Sequence, residues 1–179
     1  MILFAAVKPN QRTVRALLRE QKGVSGARWS SADKLHITTA YFGQVDDDLA
    51  EQLDVELARL SMASFDVQLS GAGHFGKHEP HAIWAGVAPN PSLERLNTHC
   101  KHAASRCGLT LEKRKYMPHV TLAYMKPFPD IERIIAFEKR LADFSPPPFL
   151  VDELCLFSSH RKARGPNLYR LEATYPLLG

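Results

Sequence analysis

Apolar and polar positions alternate along this chain with two periodicities, one typical of strands and one typical of amphipathic helices. Together they predict short strands separated by amphipathic helices. The apolar run Ile2–Val7 predicts a first strand. Asn10 is placed to cap a helix, whose inward face is predicted to hold Val14, Leu17 and Leu18. A polar connector over residues 29–34 precedes the next predicted strand at residues 36–42, which Gly43 ends.

Three further helices follow from capping residues and from apolar positions spaced by three or four. Asp46 predicts the start of one, with Leu49, Leu53, Leu57 and Leu60 on a single face. Asn90 and Pro91 open the clearest helix, and Gly108 terminates it. Its apolar face comprises Leu93, Leu96, Cys100, Ala103, Ala104 and Cys107. Asp130 opens the last helix, which is predicted to direct inward Ile131, Ile134, Ile135 and Leu141.

The remaining apolar runs predict strands over residues 65–69 and 82–87, joined by a loop rich in glycine and histidine. After the last helix, three prolines at 146–148 impose an extended exit. Strands predicted over residues 151–157 and 169–175 close the chain. No apolar run approaches the roughly 18 residues that a membrane span needs.

One six-residue pattern, His-apolar-Thr-x-Ala-Tyr, occurs twice, at residues 36–41 and 119–124. Each copy is followed at nearly the same spacing by a helix, a strand, a histidine-containing loop and an aromatic-centred strand. The paired landmarks are Phe65 and Phe149, His74 and His160, and Trp84 and Tyr169. This duplication predicts an α+β fold in a single bilobal domain over residues 1–179. Its two pseudo-symmetric lobes, each an antiparallel sheet with helices, would enclose a central cleft.

The repeated pattern places the same two functional groups in each lobe. Residues two apart in a strand point to the same side, so His36 shares a face with Thr38, and His119 with Thr121. Two opposed imidazoles can act as a general acid and a general base near neutral pH. The hydroxyls can donate hydrogen bonds to a phosphoryl oxygen. The alternative, two core histidines, is disfavoured because burying two unpaired imidazoles costs free energy.

The composition is that of a globular protein, with 45% hydrophobic and 23% charged residues. A formal charge of +4 and a pI of about 9.0 favour an anionic partner only weakly. Three cysteines argue against a disulfide framework, and Cys100 and Cys107 are predicted to form a buried apolar pair. The short apolar N-terminus lacks the basic start and the cleavage site of a signal peptide. We therefore expect a cytoplasmic monomer that does not span a membrane.

Two other groupings of residues bear on the chemistry. His74, His78 and His81 could in principle bind a metal, but the residues between them indicate an exposed loop. No metal ion or other cofactor is therefore expected. Basic clusters at residues 113–115 and 161–164 could make one rim of the cleft positive and attract RNA phosphates.

The two His-apolar-Thr motifs resemble those of the two-histidine (2H) phosphoesterase superfamily, as do the flanking stretches at residues 28–36 and 165–171. Within it, the chain is most similar to bacterial and archaeal RNA 2′,3′-cyclic phosphodiesterases, also called 2′-5′ RNA ligases. The resemblance implies that His36 protonates the departing ribose oxygen and that His119 activates water. It also implies that Thr38 and Thr121 hold the non-bridging phosphate oxygens.

The same resemblance implies a substrate and a product. The partner would be RNA or a nucleotide with a terminal cyclic phosphate, the product a 2′-phosphomonoester, and a weak reverse reaction would form a 2′-5′ bond. Tyr41 matches the family's base-stacking aromatic residue. Relatives often carry a cation at the position of Tyr124, and Lys126 is the nearest candidate to replace that charge. Two alternatives remain open: another cyclic substrate, such as ADP-ribose 1″,2″-cyclic phosphate, and a module that binds AMP or an RNA end without turnover.

Overall fold

A computed structural model describes residues 1–178, and within them it has ten strands and four α helices. The strands are β1 (Ile2–Val7), β2 (Ala27–Trp29), β3 (Ile37–Gln44), β4 (Phe65–Val67), β5 (Leu69–Phe75), β6 (Ala82–Val87), β7 (His119–Met125), β8 (Phe149–Val151), β9 (Glu153–His160) and β10 (Leu168–Pro176). The helices are α1 (Gln11–Glu20), α2 (Asp47–Ala58), α3 (Pro91–Arg106) and α4 (Ile131–Arg140). No helix in the described part of the chain is both long and apolar enough to cross a membrane.

Eight strands form one antiparallel sheet in the order β10-β9-β1-β3-β7-β6-β5, with β2 paired to the free side of β7. The sheet consists of two halves that meet between β3 and β7, where Ile37 pairs with Val120. A separate two-stranded sheet pairs β4 of one half with β8 of the other. The predicted α+β fold, with two pseudo-symmetric antiparallel lobes around a cleft, is confirmed.

The repeat has different limits from those predicted. One copy runs from β1 through α1, β3, α2 and β4 to β5, and the other from β6 through α3, β7, α4 and β8 to β9. The first strand of each copy lies between its own motif strand and the last strand of the other copy, so that β1 lies between β3 and β9, and β6 between β7 and β5. Matching the Trp84 strand with the Tyr169 strand was therefore wrong. β6 is an interior strand that corresponds to β1, whereas β10 lies at the sheet edge beyond β9. Trp84 lies opposite Thr121 and therefore takes the place of Ala6, which lies opposite Thr38.

The predicted helix caps are confirmed. Asn10, Asp46, Asn90 and Asp130 each accept a hydrogen bond from the backbone N–H three residues ahead, over 2.9–3.2 Å. The inward faces are narrower than predicted, since three apolar residues are exposed: Leu18, Ile131 and Ile135. In α4 the buried residues are Ile134 and Phe137. They are only part of the apolar face that the sequence predicts for this helix.

Four smaller predictions need correction. Residues 70–75, predicted as loop, belong to β5, because β5 pairs with β6. The connector at residues 29–34 begins in β2 and includes a 3₁₀ turn, Ala32–Lys34. The closing strand predicted over residues 151–157 is divided between β8 and β9. Of the predicted cysteine pair, Cys100 is buried and Cys107 is only half-buried.

One glycine controls the packing on the cleft side of β6. Gly73 of β5 lies opposite Trp84 of β6, whereas the equivalent pair in the other half is Cys155 opposite Ala6. A Cβ atom on Gly73 would come within 2.4 Å of two carbons of the Trp84 indole. The missing side chain therefore leaves room for the indole, whose centroid lies 6.2 Å from that of the His119 ring.

We predict that Gly73→Ala lowers the free energy of unfolding by roughly 1–3 kcal/mol, the usual cost of overpacking. The smaller ring in Trp84→Phe should relieve the clash, so the double variant should lose less than the sum of the two single losses. Urea unfolding of the four proteins measures this coupling. Strictly additive losses would contradict the packing described here.

Candidate active site

The motif strands meet at their beginnings, and this places four polar side chains together. In an antiparallel register, the Ile37–Val120 pair sets His36 beside Thr121 and Thr38 beside His119. Ile37 and Val120 are both fully buried. The four polar residues flank them and are only partly buried, on the opposite face of the sheet. The expected pairing of one imidazole and one hydroxyl from each half is therefore present.

Each imidazole is oriented by the backbone two residues before it. Nδ1 of His36 lies 2.7 Å from the carbonyl oxygen of Lys34, and Nδ1 of His119 lies 2.7 Å from that of Met117. A carbonyl oxygen can only accept, so Nδ1–H donates in both cases. The neutral rings consequently carry their lone pair on Nε2. The Thr38 hydroxyl lies 3.1 Å from Nε2 of His36 and donates to it.

Aromatic side chains enclose the His36 ring. Ring centroids of Phe4, Tyr169 and Phe157 lie 5.2, 5.7 and 6.4 Å from it. Burial among them lowers the pKa of His36, and the nearby charge of His119 lowers it further, against the opposing effect of the backbone hydrogen bond. The imidazole is thus held mainly in its neutral form when the cleft is free.

His119 has a comparable environment in the other half. The Phe75 ring meets it edge-on, with centroids 4.7 Å apart, and Trp84 lies beyond. Burial lowers the pKa of His119, and the positive charge of Arg114 adds to that effect, while the backbone bond to Met117 opposes it. Two groups that titrate near neutral pH are therefore both shifted toward lower pH.

A cavity of about 830 Å³ adjoins these groups. Five of the predicted site residues line it: Thr38, Tyr41, His119, Thr121 and Tyr124. His36 is not among the lining residues, and it contacts the cavity wall through Thr38. Lys126 is exposed and also lies outside the lining. The cations that do line the cavity are Lys101, Arg114 and Lys115.

Several lining residues were not singled out from the sequence: Phe75, Asn97, Lys101 and Tyr116. Two of them hold the strand that contains the first motif. The Tyr116 hydroxyl donates to the carbonyl oxygen of Thr38 over 3.0 Å, and the Asn97 amide donates to that of Thr39 over 2.6 Å. Burial raises the pKa of Tyr116, which keeps this hydroxyl a donor. No local sequence signal identifies these contacts, since each joins residues more than fifty positions apart.

The histidines outside the motifs have other partners. His74 lies in β5, where its Nδ1 is 2.6 Å from a carboxylate oxygen of Glu138. His160 ends β9 and hydrogen-bonds to the buried Ser158 over 2.7 Å. Among residues 1–178 no group of three or more histidine, cysteine, aspartate or glutamate side chains is arranged to hold a metal ion.

Comparison with known proteins places this geometry in a family. The fold is that of the 2H phosphoesterases. It matches the TT0787 protein of Thermus thermophilus with a TM-score of 0.81 at 20% identity, over 100% of this chain and 99% of that one. It also matches Escherichia coli LigT in its complex with 3′-AMP, with a TM-score of 0.74 at 23% identity, over 98% and 97% of the two chains.

Sequence similarity identifies the family itself. The model of the 2′-5′ RNA ligase superfamily matches residues 9–163. A relative from Thermotoga maritima, named RNA 2′,3′-cyclic phosphodiesterase, is 30% identical over 146 residues, which are 79% of this chain and 75% of the relative. The chain belongs to the 2′-5′ RNA ligase superfamily.

We predict that both motif histidines titrate below the usual value of about 6.5, because burial disfavours the imidazolium. Nitrogen and carbon NMR of the labelled imidazoles measures the midpoints and the tautomers directly. Replacing His119 by glutamine removes a positive neighbour and should raise the midpoint of His36. Midpoints above the usual value, or neutral rings protonated at Nε2, would contradict the arrangement.

Proposed function

We propose that this protein hydrolyses the terminal 2′,3′-cyclic phosphate of RNA or of a nucleotide to a 2′-phosphomonoester. The observation that carries the proposal is the meeting of two identical His-x-Thr motifs, each with its imidazole fixed through Nδ1, at one junction beside a large cavity. The name of the Thermotoga maritima relative supports the same reaction. Binding alone would not require two opposed acid–base groups.

In the proposed reaction, water attacks phosphorus in line with the bond to O3′. Nε2 of His119 accepts the water proton as the new P–O bond forms, and the P–O3′ bond breaks. Nε2 of His36 donates its proton to O3′, leaving a 3′-hydroxyl and a 2′-phosphomonoester. One water is consumed, and the two imidazoles end with their protonation states exchanged. With the 5′-hydroxyl of a second RNA in place of water, the same steps in the same direction would break the P–O3′ bond and form a 2′-5′ bond.

The threonines and the cavity cations are placed to stabilise the negative charge on the phosphoryl oxygens in the transition state. The hydroxyls of Thr38 and Thr121 are placed to donate to the non-bridging oxygens. Thr38 bonds to His36 in the free protein, so substrate would redirect that hydroxyl. The charge that relatives carry at the position of Tyr124 is better supplied by Arg114, which lines the cavity, than by the exposed Lys126.

The burial of His36 sets a requirement on the substrate. A general acid must be protonated before it can act, yet burial favours the neutral ring. The negative charge of a cyclic phosphate next to the imidazole favours the imidazolium and opposes the effect of burial. Substrate binding therefore prepares the acid, and the free protein keeps it neutral.

Two tyrosines are available to contact the base. Tyr41 and Tyr124 line the cavity while remaining 55% and 46% exposed, and an exposed ring at a cavity rim can stack on a base with little loss of packing elsewhere. The complex of LigT with 3′-AMP supports a nucleotide as ligand here. We expect the reaction to need no metal ion.

The proposal is tested with purified, chelator-treated protein, adenosine 2′,3′-cyclic phosphate and RNA that ends in a cyclic phosphate. We expect a 2′-phosphomonoester from both substrates. His36→Ala and His119→Ala should each lower the rate by roughly 10²–10⁴-fold while the protein stays folded. The two losses should be far from additive, because both groups act in one displacement.

A nitrophenyl phosphodiester separates the roles of the two histidines. Its leaving group needs little protonation, so this substrate should partly restore His36→Ala and leave His119→Ala inactive. If this substrate instead restored the activity of His119→Ala, His119 would be the acid and His36 the base. Rates within a few-fold of the unsubstituted protein in both variants would refute two-histidine catalysis, and turnover that depends on added Zn²⁺ or Mn²⁺ would refute the metal-free reaction.

The pH dependence should reflect the lowered pKa values of both histidines. The rate rises with pH as the base loses its proton, and it falls with pH as the acid loses its own. Because both pKa values lie below the usual range, kcat/KM should peak on the acid side of about pH 6.5. The profile of kcat should lie at higher pH, since bound phosphate raises both values. A kcat/KM maximum above neutrality would contradict the assignment.

A further inference from the structure

The two halves of the sheet differ at one place beside the site. In the second half, β2 pairs with the outer side of β7, from Ala27 opposite Met125 to Trp29 opposite Ala123. The backbone N–H of Ser30 continues this contact by donating to the carbonyl oxygen of Leu122. The corresponding side of β3 has no strand partner beyond Ile37 in the described chain.

The segment that should supply this partner follows α3, as the segment containing β2 follows α1. It spans residues 109–118 and contains no strand. The cavity lies between this segment and β3: every residue from 38 to 43 lines it on one side, and most of residues 110–117 line it on the other. The cavity thus occupies on β3 the place that β2 occupies on β7.

This groove is positively charged beyond the reacting centre. Lys101 of α3 and Lys115 of the 110–117 segment line it, and within residues 1–178 neither ammonium group forms a salt bridge. The carboxylate of Glu112 in the lining pairs with Arg114 at 3.3 Å. Two uncompensated cations therefore remain, in addition to the groups that face the reacting phosphate.

We propose that this groove binds the phosphodiester backbone of the nucleotides that precede the terminal cyclic phosphate, with Lys101 and Lys115 contacting their phosphates. This inference rests on the proposed function and deepens it. Because β2 closes the opposite side of the junction, the polynucleotide leaves the site along β3. The true substrate is then an oligonucleotide end, and a lone cyclic nucleotide uses only part of the cavity.

The test compares a short oligonucleotide ending in a 2′,3′-cyclic phosphate with adenosine 2′,3′-cyclic phosphate. Lys101→Gln, Lys115→Gln and the double variant should lose more kcat/KM on the oligonucleotide than on the mononucleotide. A plot of log(kcat/KM) against log salt concentration should become shallower by about 0.7 for each lysine removed, with the oligonucleotide only. Lys113→Gln is the matched control, because Lys113 belongs to the same segment but lies outside the cavity lining.

Equal losses on both substrates would overturn the inference, since the lysines would then act at the reacting phosphate. Unchanged activity of the double variant on the oligonucleotide would overturn it as well. Fluorescence anisotropy with a labelled oligonucleotide that ends in a 3′-hydroxyl tests the groove without turnover. Weaker binding by the double variant than by Lys113→Gln supports the groove even if the unsubstituted protein hydrolyses neither substrate, an outcome that would refute the proposed function alone.

Discussion

The pairing of Ile37 with Val120 is the contact on which the site depends. β3 and β7 overlap only at their beginnings, and each then continues away from the other with its own partners, β1 and β6. The overlap is just long enough to hold two residues on either side of the pair. Both flanking pairs consist of one histidine and one threonine. A longer overlap would pair β3 with β7 along their length and close the cleft. A shift of the β3–β7 register by one residue would direct the imidazoles into the core.

The same junction explains how the histidines can be buried without being inert. Each ring is packed against aromatic side chains from neighbouring strands, and its Nδ1–H is satisfied by a carbonyl oxygen two residues away. The hydrogen bond meets the need for a partner that burial imposes on a polar group. Within residues 1–178, Nε2 of neither ring forms a hydrogen bond to the backbone. Burial lowers the pKa of each imidazole, and the negative charge of a bound substrate raises it again.

The sequence predicted the features that repeat and missed those that depend on which elements become neighbours. The two motifs, the helix caps and the two-lobed fold were all predicted from local sequence patterns that occur in both halves of the chain. β5 was predicted as a loop because Gly71 and Gly73 have low strand propensity, and only its pairing with β6 makes it a strand. Lys101 and Tyr116 are ordinary residues in their own segments, and no spacing relates them to the motifs. Helix faces were predicted too wide, because the width that the sheet covers is a property of packing.

Duplication also explains why the cavity lies on one side of a nearly symmetric molecule. Backbone groups at a sheet edge require partners when they are shielded from water. On β7 that requirement is met by β2, whose backbone occupies the space beside the strand. On β3 it is met in part by two side chains, Tyr116 and Asn97, which bind two carbonyl oxygens and leave space beside them. Side chains can form the hydrogen bonds that the backbone of an edge strand needs without filling the space beside it. The half that lacks a covering strand is therefore the half that can admit a ligand.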